Sequence, residues 1–326
     1  MRSLSVTAER WPIAGRFAIS RGSKTAADVV VVELREADVV GRGECVPYPR
    51  YGESVDAVIA QIEGLRSSLE QGLDRPALQA ALPAGAARNA ADCALWDLAA
   101  KCAGRPVWAL AGLPPPRPML TAYTLGLDTA ENMAAAARAN AHRPLLKLKL
   151  AGRDDLPRIR AVHEQAPQAR LIVDANEAWS PELLVELPPR LRPLGVEMIE
   201  QPLPAEADAA LARIERPIPV CADESCHQAT DLAALAGKYD AVNVKLDKTG
   251  GLTEALQTAE AAEERGFALM VGCMIGTSLA MAPALLVAQR ARWVDLDGPL
   301  LLARDREPGL RFEGSLVQPS APSLWG

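Results

Sequence analysis

Histidine is scarce: the 326 residues hold three, His142, His163 and His227. The first two fall in or beside helical stretches and the third follows a strand-like run, so a catalytic dyad built on imidazole is poorly supplied. Acid–base work falls to Lys, Asp or Glu. The six cysteines, Cys45, Cys93, Cys102, Cys221, Cys226 and Cys273, include no CxxC pair. That spacing excludes a zinc site or a disulfide frame and leaves reduced, mostly buried thiols. No stretch of 18 residues is apolar throughout, which excludes membrane-spanning helices and a membrane partner. The opening MRSLSVTAERW has no apolar core followed by a small-residue cleavage site, so no secretory signal is read and the cytoplasm is the expected location. The net charge of -6 comes with no basic run, which argues against a nucleic-acid partner. Apolar residues, by contrast, make up 49% of the chain, enough for a large core. The length is about twice that of a common single domain, so one large barrel or two domains sharing an interface are expected.

Residues 1–115 read as an α+β unit. Strand-like runs at 29–34 and 39–46 are followed by apolar residues at helical spacing from Ser54, namely Val55, Ile59, Ile62, Leu65 and Leu69. A second helix is predicted from Ala86 to Cys102, closed by Gly104 and Pro106. After PPPRP at 114–118 the pattern becomes regular. Eight short apolar runs, at about 119–124, 145–150, 170–174, 195–200, 218–223, 240–245, 267–272 and 292–296, alternate with helical stretches. Their polar ends at Lys149, Asp174, Glu200, Asp223 and Lys245 recur every 22 to 26 residues, one β/α unit per interval. The last run leads into Asp297-Gly298-Pro299 and not into an amphipathic helix. The expected architecture is therefore α/β: a TIM-type (β/α)7β barrel over 116–304, capped by the α+β unit. The Pro-rich tail 305–326, with a strand-like piece at 309–312, is expected to return to the capping unit.

Active sites of such barrels lie at the C-terminal ends of the strands. There Asp174, Glu200 and Asp223 close three consecutive runs. Like charges converging in a dry barrel mouth repel unless a cation neutralises them, and an all-oxygen set suits a hard ion such as Mg²⁺. For any one of the three, capping the following helix is the alternative reading. Lys149 and Lys245 close the second and sixth runs, which face each other across an eight-stranded barrel. Lys147, two residues before Lys149 on the same strand face, is counted among the substrate-binding residues, and together with the metal it is expected to lower the lysine pKa toward the range of a working base. Two opposed bases beside a metal suit removal of a proton α to a carboxylate. An ion pair bridging the carboxylates is the plainer reading of either lysine.

The motifs KLKL around Lys149, VDANE around Asp174, EQPLP after Glu200, ADES at Asp223, NVKLDKTGG around Lys245 and DLDGP at Asp295 resemble the enolase superfamily over nearly the whole chain. The resemblance is to the subgroup named for muconate lactonizing enzyme, and within it to dipeptide epimerases. It implies Asp174, Glu200 and Asp223 as ligands of one Mg²⁺ and Lys149 and Lys245 as the two acid/base catalysts, with Lys248 left to the loop. A lysine base with Mg²⁺ stabilising an ene-diolate is that superfamily's known chemistry.

Substrate choice needs other residues. Asp295 and Asp297, two apart, project to the same side of the eighth run and would face a cationic end of the substrate. A dipeptide's ammonium group fits, and the resemblance implies that role; alone, such a pair also reads as a solvated turn. Two stretches of the capping unit, 20–24 and 47–52, are suited to covering the mouth, and both carry cations. Lys24 stands where the resemblance implies an arginine for a substrate carboxylate, which keeps the charge but loses the planar fork. A solvated surface lysine is the alternative there. Thr124 and Cys273-Met274-Ile275 match positions that line the family's substrate pocket. The expected function is epimerisation of a dipeptide such as L-Ala-D/L-Glu, in a homo-oligomer of the kind common in that family. An N-acylamino acid racemase or a cycloisomerase on the same scaffold is the nearest rival, and a non-catalytic, metal-stabilised binding protein a remote one.

Overall fold

The computed structural model describes residues 2–326. Three antiparallel strands open the chain as one sheet: β1 (Arg2–Ile19), β2 (Gly22–Glu36) and β3 (Val39–Cys45). The sheet begins earlier than its apolar runs indicate. Of β1, only Leu4, Ile13 and Ala18 are buried, so its alternation carries little signal. One face of the sheet sends Leu4, Val30, Val32 and Leu34 into a core with Val58, Ile62, Leu69 and Leu78 of the helices packed on it. The opposite face sends Ala27, Val29 and Val31 into the larger core shared with the barrel, as two-residue alternation requires.

The helix expected from Ser54 is broken into two, Val55–Gly64 and Arg66–Glu70, and the Ser54 hydroxyl accepts from Ala57 N at its start. The second expected helix runs over Ala86–Ala103 and ends at Gly104, whose φ of 60° suits glycine. This helix docks the capping unit on the barrel through polar contacts. Arg88 Nη2 donates to Thr249 O at 2.6 Å, Asn89 Nδ2 to Asp247 Oδ1 at 2.8 Å, and Asp92 accepts from Thr253 N and Oγ1 at 2.9 and 2.6 Å. Burial pushes the Asp92 carboxyl up to about 6, against the pull of those bonds.

The first barrel run splits. Its opening residues form β4 (Met119–Leu120), which leaves the barrel, and only β5 (Tyr123–Leu125) joins it. Parallel strands β6 (Leu145–Lys149), β7 (Arg170–Asp174), β8 (Val196–Glu200), β9 (Val220–Ala222), β10 (Ala241–Val244), β11 (Ala268–Gly272) and β12 (Trp293–Asp295) follow in sequence order. Between β12 and β5 the wall is closed by Ala122 N donating to Val294 O and Leu296 N to Thr121 Oγ1, both at 2.8 Å. The lower interior is apolar: Ala122, Leu145, Ile172, Met198, Cys221, Ala241, Met270 and Trp293, one residue from each strand segment, form a single buried cluster.

The tail does two things. A hairpin of β13 (Phe312–Glu313) and β14 (Leu316–Val317) pairs with β4 at the foot of the barrel. The last residues then return to the capping unit, where Trp325 Nε1 donates to Cys93 O at 3.1 Å and Gly326 N to Asp97 Oδ1 at 2.8 Å. Among the described residues, no helix is long and apolar enough to cross a membrane.

Candidate active site

Side chains on a strand alternate faces, so the residues two after the lower cluster occupy the next interior layer. They are Thr124, Lys147, Asp174, Glu200, Asp223, Asn243, Gly272 and Asp295. One period-two step converts an apolar floor into a charged layer. Asp174 and Glu200 are direct partners across β7 and β8, and Asp223 follows β9. All three carboxylates are at most 2% exposed.

Lys147 is buried in this layer at 1% exposure, its ammonium 2.6 Å from Glu200 Oε2, 2.7 Å from Asp295 Oδ2 and 3.4 Å from Asp174 Oδ2. It does not line the substrate cavity, contrary to the sequence reading. Burial opposes its charge, but the three carboxylates outweigh that and push its pKa well up. Asp174 Oδ2 also lies 2.6 Å from Lys149, so the two ammoniums share one carboxylate oxygen.

One step higher stand Lys149 and Lys245, on strands four apart in the barrel order. Lys245 donates to Asp223 Oδ2 at 2.6 Å. Its buried charge is upheld by Asp223 and Glu200, so its pKa moves up and not in the expected direction. Room for it comes from Gly272, where a Cβ would meet Asn243 Oδ1 at 2.8 Å and Lys245 Cε at 3.2 Å. Asn243 Nδ2 in turn donates to Glu200 Oε1 at 2.7 Å.

The donor set fits a hard divalent cation. The three carboxylates offer an all-oxygen set, and burial together with Asp174 pushes Glu200 up to about 7 even with the Lys147 ammonium beside it, the mark of a carboxylate whose charge is not fully balanced. Glu200 Oε2 is close to Lys147 yet has no aligned hydrogen bond. With the lysines drawn in among the carboxylates, no three His, Cys, Asp or Glu side chains among the described residues gather as a metal-holding group. A cation at Asp174, Glu200 and Asp223 would take over the neutralisation that Lys149 and Lys245 now provide.

Above the layer lies a cavity of about 490 Å³. Thr124, Cys273, Met274, Ile275, Asp295 and Asp297 line it from the barrel, together with the two upper lysines. Thr124 N donates to Asp297 Oδ2 at 2.6 Å and its hydroxyl lies 3.4 Å from Asp295 Oδ1. Burial, then the Asp295 charge, pushes Asp297 up to about 7. The acidic pair is thus unequal, since Asp295 is neutralised by Lys147 and Asp297 has only the Thr124 bonds.

The two capping stretches do cover the mouth, and their arginines grip its rim. Arg21 reaches Glu224 Oε1 at 2.7 Å and Glu177 Oε2 at 3.0 Å, while Arg50 binds both oxygens of Glu177 at 2.9 Å. Glu177 holds a left-handed φ of 68°, an unusual backbone for a non-glycine residue. Lys24 faces the cavity 5.4 Å from the Tyr48 ring, and burial lowers its pKa.

Lys248 is a correction to the sequence reading, which leaves it to the loop. It lies in the short helix Leu246–Thr249, which turns its fully buried ammonium back onto Asp223 Oδ1 at 2.7 Å, Asp223 O at 2.5 Å and Asn243 O at 2.8 Å. Three donors meet three acceptors. The one available signal was its spacing of three from Lys245.

Comparison with known proteins agrees with this geometry. Residues 1–112 match the mandelate racemase / muconate lactonizing enzyme N-terminal domain, and residues 128–322 match the family described as enolase C-terminal domain-like. The chain is 51% identical to an L-Ala-D/L-Glu epimerase of Escherichia coli (strain K12), over 96% of this chain and 98% of that one. It is 45% identical to an N-acetyl-D-glutamate racemase of a Pseudoalteromonas species, over 91% and 95% of the two chains. A crystal structure of an enolase family member from Agrobacterium tumefaciens with homology to dipeptide epimerases, solved with sodium and L-Ala-L-Glu, superposes with a TM-score of 0.98 at 54% identity, covering 100% of both chains. The chain belongs to the enolase superfamily, in its mandelate racemase / muconate lactonizing enzyme branch.

Proposed function

We propose that this protein is a Mg²⁺-dependent dipeptide epimerase that inverts the α-carbon of the C-terminal residue of a dipeptide such as L-Ala-D/L-Glu. The observation that carries the reading is the pair Lys149 and Lys245, on strands four apart, above three buried carboxylates and at the floor of one half-open cavity. The dipeptide and sodium or magnesium in related structures support it.

One lysine removes the α-proton from one face of the carbon and the other returns a proton to the opposite face, a 1,1-proton transfer. Each base serves one epimer. One Mg²⁺ held by Asp174, Glu200 and Asp223 would stabilise the negative charge that develops on the substrate carboxylate as the enediolate forms. Asp297, pushed toward neutrality by burial and Asp295, gains most from an ammonium, so the pair receives the dipeptide's free amine. Thr124 orients both carboxylates. Cys273, Met274 and Ile275 form the apolar wall, and the partly desolvated Lys24 meets an acidic side chain at the other end. Murein-derived L-Ala-D-Glu in the cytoplasm meets this specification, with the enzyme acting as a homo-oligomer.

An N-acylamino acid racemase is the second reading, favoured by the Pseudoalteromonas relative and by the fact that Asp295 is already paired with Lys147. Chelator-treated protein should turn over neither substrate. After Mg²⁺ is restored, L-Ala-L-Glu should epimerise much faster than N-acetylglutamate racemises. Full activity without metal, or preference for the N-acetyl substrate, would overturn the proposal.

A further inference from the structure

The helix Ser278–Ala288 starts against two carboxylates that come from outside the barrel. Glu44, at the end of β3 and 1% exposed, accepts from Thr277 N at 2.7 Å through Oε1 and from Thr277 Oγ1 at 2.5 Å through Oε2. Asp305 of the tail accepts from Ser278 N at 3.0 Å and from the Ser278 hydroxyl. A helix N-terminus, with its free N–H groups and positive dipole end, suits such anions. Arg306 closes the cluster. It donates to Glu44 Oε2 at 3.0 and 2.8 Å, to Thr277 Oγ1 at 2.7 Å and to Glu9 Oε2 at 2.6 Å. Capping sheet, barrel helix and tail thus meet at one threonine.

Just before that threonine come the cavity-lining residues 273–275 and then Gly276, which joins them to it. Gly276 leaves no slack: a Cβ there would stand 3.1 Å from Glu44 Oε1 and 3.2 Å from Val46 Cγ2. On its other side, a Cβ on Gly298 would meet Gly276 O at 3.0 Å and Gly276 N at 3.1 Å. The loop is clamped between the capping sheet and the residue that follows Asp297. Any shift at Thr277 is passed to Met274 and Ile275 and to the backbone beside the acidic pair.

We propose that Glu44, braced by Arg306, is a positioning residue that holds the 273–275 wall and thereby sets how strictly the cavity discriminates among dipeptide side chains. The substrate class rests on the dipeptide reading above. Glu44 itself does not line the cavity, so it acts only through the wall. A buried carboxylate with four donors has few alternatives to the observed arrangement, because an unmade bond leaves a buried polar group unpaired.

The test uses full-length protein with Mg²⁺, as wild type, Glu44→Gln, Arg306→Met and the double variant. Amide hydrogen exchange without substrate should quicken over residues 273–280 in each variant and stay unchanged over the helix Leu252–Glu264. Unchanged exchange over 273–280 overturns the anchor. The ratio of kcat/KM for L-Ala-L-Glu over L-Ala-L-Leu should fall about tenfold, through KM more than kcat, since small misplacement of a pocket wall costs one to two decades. The double variant should lose little more than either single one. Equal losses on both dipeptides, with the ratio intact, would make the role structural and overturn the specificity claim. Arg306→Lys, which keeps the charge, should recover part of the ratio and supplies both readouts if Glu44→Gln does not fold. If wild type turns over no dipeptide, the dipeptide reading and the substrate named here fall together, while the exchange result still decides whether Glu44 holds the wall.

Discussion

The barrel mouth and the capping stretches over it both carry charge into one cavity, but they are held by different means. At the mouth, Asp174, Glu200 and Asp223 sit two residues above an apolar floor on hydrogen-bonded strands, and Lys149 and Lys245 four residues above it. Over the mouth, Arg21 and Arg50 stand on connections and are fixed by ion pairs to Glu177 and Glu224, while Lys24 stands near the start of β2. Backbone ladders place a group to within fractions of an ångström, whereas loop side chains are free to adapt. On the function proposed above, proton transfer belongs to the lysines of the first region, while substrate choice is shared between Lys24 of the second and the barrel's Asp297 and 273–275 wall.

That division predicts a ranking of effects. Lys149→Ala and Lys245→Ala should be the most damaging, each lowering epimerisation about 10²- to 10⁴-fold, the usual worth of a positioned general base. Wild-type rates in either variant would remove that lysine from the mechanism. Asp297→Asn, at the boundary of the two regions, should cost roughly one to two decades in kcat/KM on dipeptides with a free amine, and little on N-acetylated substrates. Equal losses on both classes would show that Asp297 serves the barrel wall and not the amine.

Lys24→Met should lower kcat/KM for L-Ala-L-Glu about tenfold and leave L-Ala-L-Leu nearly unchanged, as expected for loss of one charge-assisted contact. A matching drop in kcat for both would place Lys24 with the chemistry. The smallest effect concerns the seam between the regions. Burial raises Asp92 to about 6, above the ordinary aspartate value of 3.8, so the folded protein holds this proton more tightly than the unfolded chain. Its contribution is present below pH 3.8 and is lost as pH rises through 6. The melting-temperature advantage of wild type over Asp92→Asn should therefore shrink between pH 4 and 6; a constant difference would assign the effect to hydrogen bonding alone.

The barrel was legible because each run ended in a polar residue at a regular interval, and the mouth was legible for the same reason: strand ends are fixed by local pattern. What escaped depends on contacts between distant segments. Glu44 and Arg306 are 262 residues apart, and Arg21 and Glu177 are 156 apart, so no local spacing announces either pair. Lys147 shares a face with Lys149 and reads as a substrate neighbour; the strand period alone does not tell that Glu200 and Asp295 close around it one layer lower. Lys248 escaped because a four-residue helix turns it back on Asp223. The hairpin β13–β14 drew Met119 and Leu120 out of the barrel, a competition between strands that a single run cannot reveal.

The most direct test of two-base chemistry is solvent deuterium. Wild-type enzyme with Mg²⁺ in D₂O, given L-Ala-L-Glu and L-Ala-D-Glu separately, should form the opposite epimer with one deuterium at the α-carbon of the C-terminal residue, seen by mass spectrometry and NMR. Lys149→Ala and Lys245→Ala should each slow epimerisation about 10²- to 10⁴-fold while leaving α-exchange of one epimer, a different one for each variant. Epimerisation with the original α-hydrogen fully retained, or loss of exchange from the same epimer in both variants, would contradict two lysines working on opposite faces.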